Sequence, residues 1–111
     1  MAKVAITVFK KFDPEDVFGC QVKSQSGEVV PPCTAFPVGT RFVVDNIGQM
    51  PEGFCGWAWR DLYKNISILY FGGDFIEPYY VGDELIKPIV TFTSCSDGIR
   101  PVIFKLERIE D

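Results

Sequence analysis

Cys55-Gly56-Trp57-Ala58-Trp59-Arg60-Asp61-Leu62-Tyr63-Lys64-Asn65-Ile66-Ser67-Ile68-Leu69-Tyr70 is the stretch on which the fold turns. Ala58, Leu62, Ile66 and Leu69, joined by Trp59, Tyr63 and Tyr70, recur at helical spacing as one broad apolar stripe, while Arg60, Asp61, Lys64, Asn65 and Ser67 occupy the other side. Gly72-Gly73 closes the segment as a glycine C-cap does, and Pro51, Gly53 and Gly56 oppose a start before Cys55. It is the one substantial helix the sequence signals, so there is no alternating βαβ series, and an α+β domain is favoured over a doubly wound parallel sheet.

The flanking segments read as strands. Val4-Ala5-Ile6-Thr7-Val8-Phe9 alternates with period two and places Val4, Ile6 and Val8 on one face. Residues 11–37 are irregular, punctuated by Asp13-Pro14, Gly19, Ser24-Gln25-Ser26-Gly27 and Pro31-Pro32, with a small hairpin expected around Ser26-Gly27. Gly39 to Asp45 reads as a turn feeding a strand. Residues 74–83 read as a loop rich in Gly, Pro and Tyr, followed by strands at 89–93 and 102–107 joined through the turn chemistry of Ser96-Asp97-Gly98. The expectation is a single α+β domain over 1–111 with a small, mainly antiparallel, barrel-like sheet and one principal helix.

A chain of 111 residues has room for one domain. It contains no histidine, which excludes Ser-His-Asp and Cys-His chemistry, imidazole metal ligands and a histidine pH switch. Eleven basic against fifteen acidic residues give a net charge of -4, with Lys10-Lys11 the only adjacent basic pair, so a nucleic-acid partner is not expected. The N-terminus lacks a signal-peptide pattern and no stretch approaches the roughly 20 apolar residues of a membrane span. These features point to a cytoplasmic protein, a compartment in which cysteines are thiols, ligands or redox groups more often than cystines.

Cys20, Cys33, Cys55 and Cys95 contain no Cys-x-x-Cys pair, so zinc-ribbon, ferredoxin and thioredoxin signatures are absent. Their positions carry the information. Cys33 precedes the Val38-Gly39 turn, Cys55 opens the helix, and Cys95 ends a strand beside Asp97-Gly98; thiols at element ends can converge, whereas thiols within apolar stripes are core filler. A helix N-terminus favours a thiolate at Cys55, and Arg60 or Arg41 would reinforce it. A Cys20 to Cys33 disulfide closing the irregular segment is a third reading. Trp57 and Trp59 are either core packing of the first helical turn or the wall of a pocket containing Cys55. Asp74 and Glu77, with Asp83-Glu84, read as surface acidity rather than paired carboxylates, and Tyr79-Tyr80 as an exposed contact patch.

Pro51-Glu52-Gly53-Phe54-Cys55-Gly56-Trp57-Ala58-Trp59, then Leu62-Tyr63 and Leu69-Tyr70-Phe71-Gly72-Gly73, resembles a family of small uncharacterised bacterial and archaeal proteins with a Cys-x-Trp-Ala motif and no established activity. Cys33 with Val38-Gly39, Cys55 with Trp57, and Cys95 with Val102-Ile103-Phe104 look like the matching positions, over nearly the whole chain. Thr40 stands where that family has an acidic turn residue, residues 17–32 look like an insertion, and Cys20 has no counterpart. The resemblance implies that Cys33, Cys55 and Cys95 form one constellation and names no reaction.

Small size, missing histidine and abundant aromatic surface point first to a binding or accessory module, with a protein partner or self-association, including the role of a small subunit in a larger enzyme. The alternative is a cysteine site in which Cys55 reacts or ligates, Cys33 and Cys95 assist and Trp57 walls the pocket. Such a site would bind zinc, an iron-sulfur cluster or sulfur, or perform thiol redox chemistry, with a fourth ligand from Asp97, Cys20 or solvent. A carboxylate-based hydrolase or transferase is the third and weakest reading.

Overall fold

A computed structural model describes residues 2–75 and 78–110 of the chain. β1 (Ala2–Lys11), β2 (Arg41–Val44), β5 (Val90–Ser94) and β6 (Val102–Glu110) form an antiparallel sheet in the order β2-β1-β6-β5. Val4 pairs with Val44 on one side and Arg108 on the other, and Ile6 with Phe42 and Leu106. Because directly paired residues share a face, Val4, Ile6, Val8, Val44, Phe104 and Leu106 make one continuous apolar surface. The helix α2 (Gly56–Tyr70) lays Ala58, Leu62, Ile66 and Leu69 on it, all at 2% exposure or less. Burying each of the larger side chains contributes roughly 1.5–3 kcal/mol.

The fold is the α+β arrangement expected, but the sheet is open. β2 and β5 lie at opposite edges and do not meet, so the barrel-like expectation is corrected: four strands, two of them short, are too few to wrap a core that must also seat α2. Polar ties fix the helix to the sheet, with Asn65 Nδ2 donating to Thr93 Oγ1 at 2.7 Å and the Tyr70 hydroxyl donating to the Asp45 carbonyl at 3.0 Å. At the far end of α2, Arg108 of β6 donates to the carbonyls of Leu69 and Gly73 at 3.4 and 2.7 Å and pairs with Asp74 at 2.7 Å. An arginine on the inward face of a core strand is thus matched to carbonyls at and just beyond a helix C-terminus, the negative end of its dipole.

Two elements appear where loops were expected. α1 (Pro14–Phe18) begins at a capping box, in which Glu15 N–H donates to Asp13 Oδ1 and Asp13 N–H to Asp16 Oδ2. β3 (Tyr79–Val81) and β4 (Glu84–Ile86) form a separate two-stranded sheet joined by Gly82-Asp83, with Gly82 at φ 59. The hairpin expected around Ser26-Gly27 is present in a minimal form: Lys23 bridges Val29, Ser24 N–H donates to the Glu28 carbonyl at 2.7 Å and Val30 N–H to the Val22 carbonyl at 2.9 Å. Glu77, grouped with Asp74 in the sequence reading, lies outside the described residues.

Candidate functional site

Three segments meet at one end of the sheet. The first, residues 33–36, is anchored by Phe36, which is 2% exposed and stands edge-on to Phe104 at 5.3 Å and tilted to Phe54 at 5.0 Å. Lys11 Nζ holds the Cys33 carbonyl at 2.9 Å. The second is the start of α2. Cys55 is its N-cap in extended conformation, its carbonyl accepts the first helical bond from Trp59 N–H at 2.9 Å, and its side chain makes no capping hydrogen bond. The turn is fixed instead by Phe54 against Trp59, rings 6.3 Å apart and edge-on, a hydrophobic staple between the residue before the cap and the fourth helical position.

The third segment joins β5 to β6. Cys95 and Val102 extend the ladder, with Cys95 N–H donating to the Val102 carbonyl at 3.0 Å and Val102 N–H donating to Cys95 Sγ at 3.4 Å. Asp97 shapes the connection by accepting from Ile99 N–H at 2.9 Å, Arg100 N–H at 3.2 Å and Arg100 Nε at 3.3 Å. These bonds, led by that from Ile99, hold its carboxyl below the ordinary 3.8 against a smaller opposing effect of burial. Asp61 of α2 ties the loop to the helix by accepting from Ser96 N–H at 2.7 Å.

Between these segments lies a cleft of about 630 Å³, lined by Cys33, Cys55, Cys95, Trp57, Asp61, Asp97 and Arg100 over a floor of Phe36, Ala58, Val102 and Phe104. The volume is that of a small-molecule site. The three cysteines placed at element ends therefore share one cavity. All three are half-buried and also pack against the core, so the filler and converging readings describe different sides of the same sulfurs. Cys20 is exposed and outside the lining, and all four cysteines are free thiols, so Cys20 and Cys33 form no disulfide.

The tryptophan pair divides. Trp57 is 78% exposed on the lip of the cleft, whereas Trp59 is stapled to Phe54 and stands edge-on to Tyr63 at 5.4 Å. Trp59 as a pocket wall is therefore corrected: two residues along a helix turn a side chain by about 200°, and only one of the pair faces the cleft. Arg41 and Arg60 are exposed and outside the lining; the cation at the cleft is Arg100, engaged by Asp97. Among the described residues no group of three or more Cys, Asp or Glu side chains is placed to hold a metal ion. The three thiols share a cavity without forming such a group.

Asp61, Ser96 and Arg100 belong to the site and were not singled out for it from sequence, since only the antiparallel return of β6 brings the 96–100 loop against the helix. Tyr79 and Tyr80 are exposed on the β3–β4 hairpin and take no part in the cleft. No described helix is long and apolar enough to cross a membrane. Comparison with known families, with curated proteins and with solved structures returned no match.

Proposed function

We propose that the chain is a small binding module, of the kind that serves as an accessory subunit, and that its ligand seat is the thiol-lined cleft beneath Trp57. The observation that carries this reading is an exposed indole at the mouth of a cleft whose charged groups are already engaged. Tryptophan is among the more buried residue types on average, and an indole left in water forgoes about 25 cal/mol for each Å² of apolar area. A flat apolar ligand lying on Trp57 recovers that free energy, with Ile99, also exposed, on the opposite loop. The resemblance to the Cys-x-Trp-Ala family supports the same location, because Cys55, Trp57 and Ala58 of that motif all line the cleft.

Titration with the neutral aromatic fluorophore N-phenyl-1-naphthylamine tests it. Saturable binding at one site is expected, weakened about two- to twelvefold in Trp57→Ala, the range of one aromatic stack. No saturable binding to the wild type, or equal binding to the variant, overturns the reading.

A further inference from the structure

Resting on the cleft as a ligand seat, we propose that Cys55 is its covalent acceptor, capturing a small uncharged disulfide that carries a flat ring as a mixed disulfide. The three cleft thiols are not placed to share a metal, so each sulfur acts singly, and they differ in what engages them. Cys95 Sγ accepts the Val102 N–H and closes the β5–β6 ladder. Cys33 belongs to residues 33–36, held by Lys11 through the Cys33 carbonyl and not through its sulfur, and lies away in sequence from the segment that carries Trp57. Cys55 makes no capping hydrogen bond, stands at the helix start next to the turn that carries the exposed Trp57, and lines the same cleft.

Of the charged groups around the seat, Asp97 pairs with Arg100, and Asp61 is held by Ser96 N–H and leaves one negative charge on the lining. The rest of the lining is apolar, namely Trp57, Ile99 and the floor of the cleft, and together with the Asp61 carboxylate it fits a neutral ring better than an anion. In the capture step Cys55, having given its proton to solvent, attacks one sulfur of the disulfide. The Cys55 sulfur-sulfur bond forms, the ligand's own breaks, and the leaving thiolate takes up a proton. The ligand is itself the oxidant, so no further reagent is consumed.

Cys20, exposed and outside the cleft, is a reference thiol within the same molecule. The reduced full chain is treated with limiting 2,2′-dithiodipyridine or, separately, hydroxyethyl disulfide, and modification at each cysteine is followed by peptide mass spectrometry. The Cys55 to Cys20 rate ratio is expected to be about two- to twelvefold higher with the aromatic reagent, and Trp57→Ala is expected to abolish that difference. Equal ratios with both reagents, a difference that survives in Trp57→Ala, or Cys33 or Cys95 as the favoured position overturns the proposal. The fluorophore separates the two claims, because it occupies the seat without forming a covalent bond. A wild type that binds the fluorophore without favouring Cys55 loses covalent capture alone, whereas one that does not bind it loses the seat as well.

Discussion

Asp97 spends its acceptor capacity on its own loop, taking two backbone N–H groups and the Arg100 guanidinium, and so sets the shape of one wall of the cleft. Folding lowers its proton affinity, so as pH falls the unfolded chain takes up this proton first. The stability Asp97 contributes is whole above its unfolded value and is lost as pH falls through the lower folded one. Thermal melts across this range should show wild type ahead of Asp97→Asn at neutral pH, with the lead closing below the ordinary 3.8; a lead independent of pH would contradict this. At this scale the sequence was informative. Asp97-Gly98 announced its turn, and helical spacing placed Trp59, but not Trp57, in the buried stripe. Arg108 was not legible, because the clasp it makes depends on a strand extending beyond Glu107 and on where α2 ends in space.

The C-terminus of α2 is a Schellman motif. Gly73 N–H donates to the Ile68 carbonyl at 2.7 Å and Gly72 N–H to the Leu69 carbonyl at 3.1 Å, with Gly72 at φ 89. A side chain at that φ costs about 1 kcal/mol or slightly more, so Gly72→Ala should lower the unfolding free energy by about that amount in urea titrations without altering fluorophore binding at the other end of the helix. Long elements with a plain period were readable: β1, α2 and the β5–β6 pair all stand where their patterns put them. Short ones were hidden by punctuation residues that also have structural uses. Asp13-Pro14 looked like a loop and is an N-cap followed by a proline in the first turn. Residues 74–83 looked like a loop, yet Tyr79–Val81 within them pair with Glu84–Ile86 in a hairpin about Gly82-Asp83.

As a whole the molecule measures 50 × 34 × 20 Å with a Cα radius of gyration of 15.5 Å, against about 13 Å for a compact chain of its length. The β3–β4 hairpin pairs with no strand of the main sheet, and of its strand residues only Ile86 is buried while Tyr80 is 70% exposed; a two-stranded hairpin with so little burial is marginally stable in water. Hydrogen exchange should therefore release the amides of β3 and β4 well before those of β1 and β6, and equal protection would show that something else holds the hairpin. The convergence of the three thiols was legible only as a geometric option, since strand order is not written in local pattern. That order also governs how the protein is made. The central pair of the sheet joins Val4 to Arg108 and Val8 to Phe104, so β1 waits for its main partner until residues 102–110 have been made. Such distant pairing makes folding slow, and no early fragment holds the cleft, because Cys33, Cys55 and Cys95 become neighbours of one cavity only after the last strand has arrived.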